Sequence, residues 1–264
     1  MRVVSWWVPL ALLLGGAVGV RGASTVVWSG ESGGYAWVWS ACDLTATRAG
    51  AKSPSLSVRQ LLRTEPDKEV QTYRSVSVQP LSVVGPLVSL KVMDEWDGGA
   101  HPSGAIWYQS IDARHPTRSA TLTDYVPYES LRAPLFADKF VGGILRKKGW
   151  KQAPKTSSQL EHALDGETFE AEQVEYEFGQ HPLTEFSFHH VEGNQVAIRL
   201  NVSWGSEANR FQTTQIGLLA PTPPRLKSWI ENSASGTAGF LGRASASRFK
   251  GRMISLLEWS KERR

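Results

Sequence analysis

A chain of 264 residues with a single cysteine and a formal charge of +4 can form no disulfide within itself, so a hydrophobic core must hold it together. The charge is unevenly spread: Arg2 and Arg21 put +2 into the first 23 residues and the stretch 243–264 carries +5, which leaves residues 24–242 at −3. A mildly acidic body argues against a nucleic-acid footprint on it and is compatible with a cationic partner.

Arg2 is followed by an uncharged, mostly apolar run over residues 3–20, and Val20, Gly22 and Ala23 offer small residues for processing. This pattern predicts an export signal over residues 1–23, cleaved after Gly22 or Ala23. The rival reading is an uncleaved anchor. The run is near the short end of what spans a bilayer, and Pro9, Gly15 and Gly16 weaken it as a helix, so cleavage is favoured. Either way the domain lies outside the cytoplasm. Cys42 is too far beyond the leader for a lipoprotein and is expected as a small buried hydrophobe on a strand.

Strands are predicted at 25–29, 35–47, 69–84, 87–94 and 105–113. Ser75, Ser77 and Ser82 alternate with Val76, Val78 and Val83, as a half-buried strand should. Gly85-Pro86 breaks that run, since proline has no amide hydrogen to donate to a ladder. Residues 128–147 read as one helix through Leu131, Leu135, Phe140, Ile144 and Leu145, ended by Lys147, Lys148 and Gly149. A second helix runs to Leu164, capped from Ser157-Ser158 with Glu161 at capping-box spacing from Ser158. Further strands fall at 169–178, 186–191, 195–204 and 211–219, with a short turn at Glu192-Gly193-Asn194, and a last helix at 223–232.

The fold class that follows is α+β: mainly antiparallel sheet with two or three inserted helices packed on it. Residues 24–233 form one extracytoplasmic domain, and 234–264 are a linker and basic tail. Phe249, Met253, Leu256 and Leu257 recur in the tail at helical spacing. Such a tail docks on the domain, touches acidic lipid or stays disordered; disorder is the favoured reading. Eleven tryptophans are many, and those in strand-like runs read first as core.

Enzyme motifs fail on context. Gly30-Glu31-Ser32-Gly33-Gly34 fits G-x-S-x-G, but a strand follows it where a nucleophile elbow needs a helix, so a hairpin turn is expected. His189 and His190 are adjacent on a predicted strand and face opposite ways, which makes them poor joint metal ligands. Glu170, Glu172, Glu175 and Glu177 alternate with apolar residues as a solvated strand face does. No phosphate loop or dinucleotide fingerprint is present, and no metal or cofactor is expected.

The most specific stretch begins where Glu95-Trp96-Asp97 leads into Gly98-Gly99-Ala100-His101-Pro102, followed by the alternating run Ala105-Ile106-Trp107-Tyr108. Paired glycines beside a strand end allow positive φ or close backbone approach. Together with Ile111-Asp112 and Leu122-Thr123-Asp124-Tyr125, this order resembles the RsiV-type extracytoplasmic domain, a lysozyme-sensing module also found beside secreted peptidoglycan deacetylases. The resemblance spans roughly residues 70–233; the family's Pro-Tyr segment before the penultimate strand has no counterpart here.

The resemblance implies a non-catalytic binding module for a cell-wall-related target, either a lysozyme-like protein or peptidoglycan. Trp96, Gly98, Gly99, His101, Pro102, Trp107 and Tyr108 are its candidate binding residues. The anti-sigma factor's cytoplasmic arm and the deacetylases' catalytic domain have no room in this chain, so it is expected to match the sensor or wall-binding part alone. The alternative is a small wall-active hydrolase using His101 with Asp94, Asp97 or Asp112. Trp107 and Tyr108 must face opposite sides of their strand, so at most one contacts a ligand.

Overall fold

The computed structural model describes residues 26–62, 74–96, 103–204, 213–234 and 254–258. They form an α+β fold of three antiparallel sheets with helices packed mainly against the last of them. The predicted leader and most of the tail lie outside the described residues. Among the described residues no helix is long and apolar enough to cross a membrane.

The first sheet joins β1 (Val26–Ser32), β2 (Tyr35–Ser40), β3 (Leu44–Arg48) and β4 (Leu56–Ser57) in chain order. The predicted strand 35–47 is thus two strands. The chain reverses at residues 41–43, where the Ser40 hydroxyl accepts the Asp43 N–H and donates to the Asp43 carbonyl, both at 3.1 Å. Cys42 sits half-buried in that turn rather than on a strand. A short helix, α1 (Val58–Leu61), follows with Ser57 as its cap.

The second sheet contains β5 (Arg74–Val84), β6 (Leu87–Trp96) and β7 (Ser103–Asp112). Gly85-Pro86 forms the β5–β6 turn, and Pro80 stands at a register shift, where a missing amide donor is tolerated. On one face Val76, Val78, Val88, Leu90 and Val92 pack with Trp37, Trp39 and Leu44 of the first sheet. The opposite face is also buried, contrary to the half-exposed strand expected: Ser82, Ser89 and Ser110 lie against the third sheet at 0–1% exposure.

In the tail, β13 (Ile254–Glu258) pairs antiparallel with β5. Docking on the domain, not the favoured disorder, is what these five residues show, and they dock as a strand despite their helical spacing; the free edge of β5 offers backbone partners that an extended segment can take.

Between the second and third sheets come a 3-10 turn at Leu122–Asp124 and three helices: α2 (Tyr128–Ala137), α3 (Val141–Lys147) and α4 (Ser157–Leu164). The single helix expected over 128–147 breaks at Asp138, whose backbone is extended and whose carboxylate accepts the N–H groups of Phe140 and Val141, each at 2.8 Å. That capping geometry favours a new helix start over continuation. Thr156, rather than the Ser157-Ser158 pair, caps α4 by accepting the Gln159 N–H.

The third sheet orders β10 (Phe186–Glu192), β11 (Gln195–Trp204), β9 (Val174–Glu177) and β8 (Thr168–Ala171), with β12 (Thr213–Pro221) also on β11. The predicted strand 169–178 is therefore a hairpin, reversed at Glu172-Gln173. Phe186, Phe188, Ile198, Leu200 and Ile216 turn one face of this sheet toward Leu131, Leu135, Leu145 and Leu160 of the helices, and α5 (Pro224–Ala234) adds Leu226 and Ile230 to the same core.

Candidate recognition site

Strands β6 and β7 pair without interruption from Leu87↔Asp112 to Trp96↔Ser103. Residues 97–102 join the two strands in the sequence. Gly98, Gly99, His101 and Pro102 fall outside the described residues. Trp96 closes β6, its backbone paired with Arg74 and Ser103.

Trp107 pairs with Val92 and Tyr108 with Lys91, so the two rings leave opposite faces of the sheet. Trp107 is half-buried against the core between the first and second sheets. Tyr108 is only 5% exposed and stands on the serine face. Burial pushes its hydroxyl above the ordinary tyrosine range, while a hydrogen bond with Thr213 opposes that rise. The nearby Glu185 and Tyr176 raise it further. Tyr108 therefore ties β7 to β12 instead of offering an open aromatic rim.

Beside it stands a group the sequence reading missed. Glu185 precedes β10, and burial lifts its carboxyl to about 7, opposed by a hydrogen bond from the Tyr108 backbone N–H. Its carbonyl is gripped by Asn201, through the backbone N–H at 2.8 Å and Nδ2 at 3.1 Å. Gln215 Nε2 donates in turn to Asn201 Oδ1 at 2.8 Å. The only local signal was a carboxylate set between Leu183 and the apolar Phe186 strand. Lys91, opposite Tyr108, has its pKa lowered by burial.

At the far end of the same hairpin, Asp112 is fixed by the Arg114 guanidinium, which donates from Nε and Nη2, and by the Tyr125 hydroxyl at 2.6 Å. Burial works to raise the Asp112 carboxyl, but these bonds outweigh it and hold the group below the usual range. Ser103 lies nine residues from Asp112 along an extended strand, roughly 30 Å. His101 itself lies outside the described residues.

The G-x-S-x-G serine has a structural task. Ser32 ends β1, Gly33 and Gly34 make the turn into β2, and Ser32 Oγ accepts the Gly85 N–H at 2.7 Å. The two turns interlock closely. A Cβ on Gly33 (φ +58°) would come within 2.6 Å of the Gly85 backbone, and one on Gly85 (φ +60°) within 2.3 Å of the Trp229 ring. A cleft of about 600 Å³ opens beside this contact, lined by Glu31, Ser32, Tyr35, Ala36, Trp229 and neighbouring glycines.

Elsewhere, Glu170 and Glu175 are direct cross-strand partners on the β8–β9 hairpin, and Glu172 and Gln173 hold positive φ at its turn. Glu170, Glu172, Glu175 and Glu177 are exposed, and none forms an ion pair among the described residues. Adjacent like charges on a sheet repel, so this face carries an uncompensated negative field. His181 lies 3.7 Å from Glu161 at the surface. No group of three or more potential metal ligands occurs among the described residues. Comparison with known proteins finds no matching family model, no matching curated protein and no matching solved structure.

Proposed function

We propose that this chain is an exported, non-catalytic binding module whose target is a cationic, lysozyme-like protein of the cell-wall environment. The observation that carries this reading is the unpaired carboxylate face of the β8–β9 hairpin. It concentrates negative charge on a body already net negative, and such a field steers a basic protein toward contact. The β6–β7 ladder, continuous to Trp96 and Ser103, supplies the second element. Ser32 and Asp112 have structural tasks: Ser32 holds Gly85, and Asp112 holds Arg114 and Tyr125.

Calorimetric titration of the mature chain with lysozymes, at low and high salt, tests this. Binding that weakens with salt and in a Glu170→Lys/Glu175→Lys variant is expected. A His101→Ala variant should lose affinity while keeping its melting temperature. Binding to peptidoglycan fragments alone would replace the protein target with a glycan. Hydrolysis of peptidoglycan that disappears in His101→Ala would replace the module with an enzyme. Recovery of chain that retains Met1 in a membrane fraction would reject cleavage of the leader.

A further inference from the structure

Among the described residues β12 has one strand neighbour, β11, and its other edge is open. The ladder shows which groups lie on that edge. The Asn201 N–H points to the Glu185 carbonyl, on the β10 side, so odd-numbered residues of β11 turn their backbone groups away from β12. Val196, Ile198, Leu200 and Val202 therefore bond their partners Ala220, Leu218, Ile216 and Thr214. The Thr222 N–H continues this parity to the Asn194 carbonyl at 2.8 Å. Left for the open edge are the N–H and C=O groups of Thr213, Gln215, Gly217 and Leu219.

Three features make this edge a receptor for another strand. Residues 213–221 carry no charge, whereas exposed edges are ordinarily guarded by one. Helix α2 packs on the face where Ile216, Leu218 and Ala220 are buried, and Gln215, Gly217 and Leu219 stay exposed. Finally, Gly217 stands opposite Arg199, and a Cβ on Gly217 would lie 3.5 Å from Arg199 Nη1. The half-buried guanidinium thus lies over the glycine, toward the open edge. Among the described residues no ion pair or side-chain hydrogen bond engages it. Glycine inside a strand often marks a place where another backbone comes close.

We propose that the β12 edge takes an extended, acidic peptide segment of a partner, added as an antiparallel strand with a glutamate or aspartate opposite Gly217. Backbone bonds to Gln215, Gly217 and Leu219 supply affinity, and the carboxylate sets the register. Directly opposite residues share a face about 4.5–5.5 Å apart, so the carboxylate meets the Arg199 guanidinium above a residue with no side chain. Such a charge-assisted pair is stronger than a neutral hydrogen bond. A second copy of this chain fits less well: paired about Gly217, it would bring two Arg199 guanidinia together with no carboxylate between them. This site is separate from the β8–β9 carboxylates and does not depend on the cationic target proposed for them.

The probe is the peptide acetyl-Thr-Val-Glu-Val-Thr-amide, with glutamine and lysine counterparts at its centre, added in excess to the labelled full-length chain. Amide exchange at Gln215, Gly217 and Leu219 should slow at least about tenfold with the glutamate peptide. The Ile216 and Leu218 amides, already bonded to β11, should not change and serve as internal controls. Affinity should fall about tenfold for the glutamine peptide and further for the lysine peptide. In Arg199→Gln the glutamate peptide should lose its advantage over the glutamine one. Absence of protection by the glutamate peptide, or equal affinity of the three peptides for the wild-type chain, overturns the proposal even if the variant does not fold. Protection that grows with protein concentration in the absence of peptide also overturns it and assigns the edge to a second copy.

Discussion

On the face of the second sheet turned toward the first, Val76, Val78, Val88, Leu90 and Val92 meet Trp37 and Trp39. On the opposite face Ser89 Oγ lies 2.9 Å from Ser110 Oγ, and Ser110 donates to the Phe186 carbonyl of β10 at 2.7 Å. The same strands supply both faces, and both are buried. Their energetics differ. A buried valine or leucine gains about 1.5–3 kcal/mol from leaving water, whereas a serine hydrogen bond nets only about 0.5–1.5 kcal/mol. The apolar face therefore supplies most of the stability. Serines are small and demand partners, so they let β10 lie close and hold its position. A valine–serine alternation thus records two packed neighbours of different character, not one packed and one wet face.

The largest expected effect breaks the apolar side. Trp37 is fully buried, and its indole N–H has no hydrogen-bond partner. Trp37→Ala should cost about 3–5 kcal/mol by chemical denaturation. Trp37→Phe removes the orphan donor and keeps a ring, so it should cost far less. Equal losses in the two variants would mean that the indole's polar end matters to the fold and that this face is less purely apolar than drawn.

The next effect lies on the polar side and depends on pH. Glu185 is raised from the ordinary 4.5 to about 7. The unfolded chain releases this proton first, so the stability it contributes is present below pH 4.5 and lost as pH rises to about 7. The loss is of order 3 kcal/mol. Asp112 has the opposite sign: its pKa is lowered, so its contribution is present above the ordinary aspartate range and lost as pH falls through the folded value. Denaturant midpoints from acid to pH 8 should fall on both sides of a maximum in the weakly acidic region. In Glu185→Gln the decline on the neutral side should vanish.

A smaller effect tests the serines themselves. Ser110→Ala should cost about 1–3 kcal/mol, because it leaves the buried Phe186 carbonyl and the Ser89 hydroxyl short of partners. Ser110→Val adds bulk where β10 lies close and should be worse. If valine there were neutral in thermal melts, the two faces would be interchangeable and the contrast between them would be lost.

The smallest effect lies outside both interfaces. Glu172 and Gln173 occupy positive φ in the β8–β9 turn, where asparagine and glycine are preferred. Glu172→Asn with Gln173→Gly should raise stability by about 1 kcal/mol, and a calorimetric melt should register the gain. A lowered melting temperature would show that the acidic turn makes contacts worth more than its strain.

Local chemistry was enough to place much of the fold. Gly85-Pro86 announced the β5–β6 turn, Gly33-Gly34 the first hairpin and Glu192-Gly193-Asn194 the β10–β11 hairpin, because turn residues act through their own φ and missing donors. Strand 195–204 and the span of the last helix were legible from periodicity. Breaks lacking a glycine or proline signal were not: Ala41–Asp43, Asp138 and Glu172-Gln173 reverse or interrupt the chain through side-chain capping or strained backbone. Strands β6 and β7 could be read from alternation. That Tyr108 turns inward to Thr213, that Asp112 is held by Arg114 and Tyr125, and that Glu185 lies half-buried beside Tyr108 could not. Residues 76 places apart in the chain meet at Ser110 and Phe186. Alternation along a strand assigns residues to opposite faces, but only the layer that arrives from elsewhere decides whether each face meets water, a hydroxyl or a buried carboxyl.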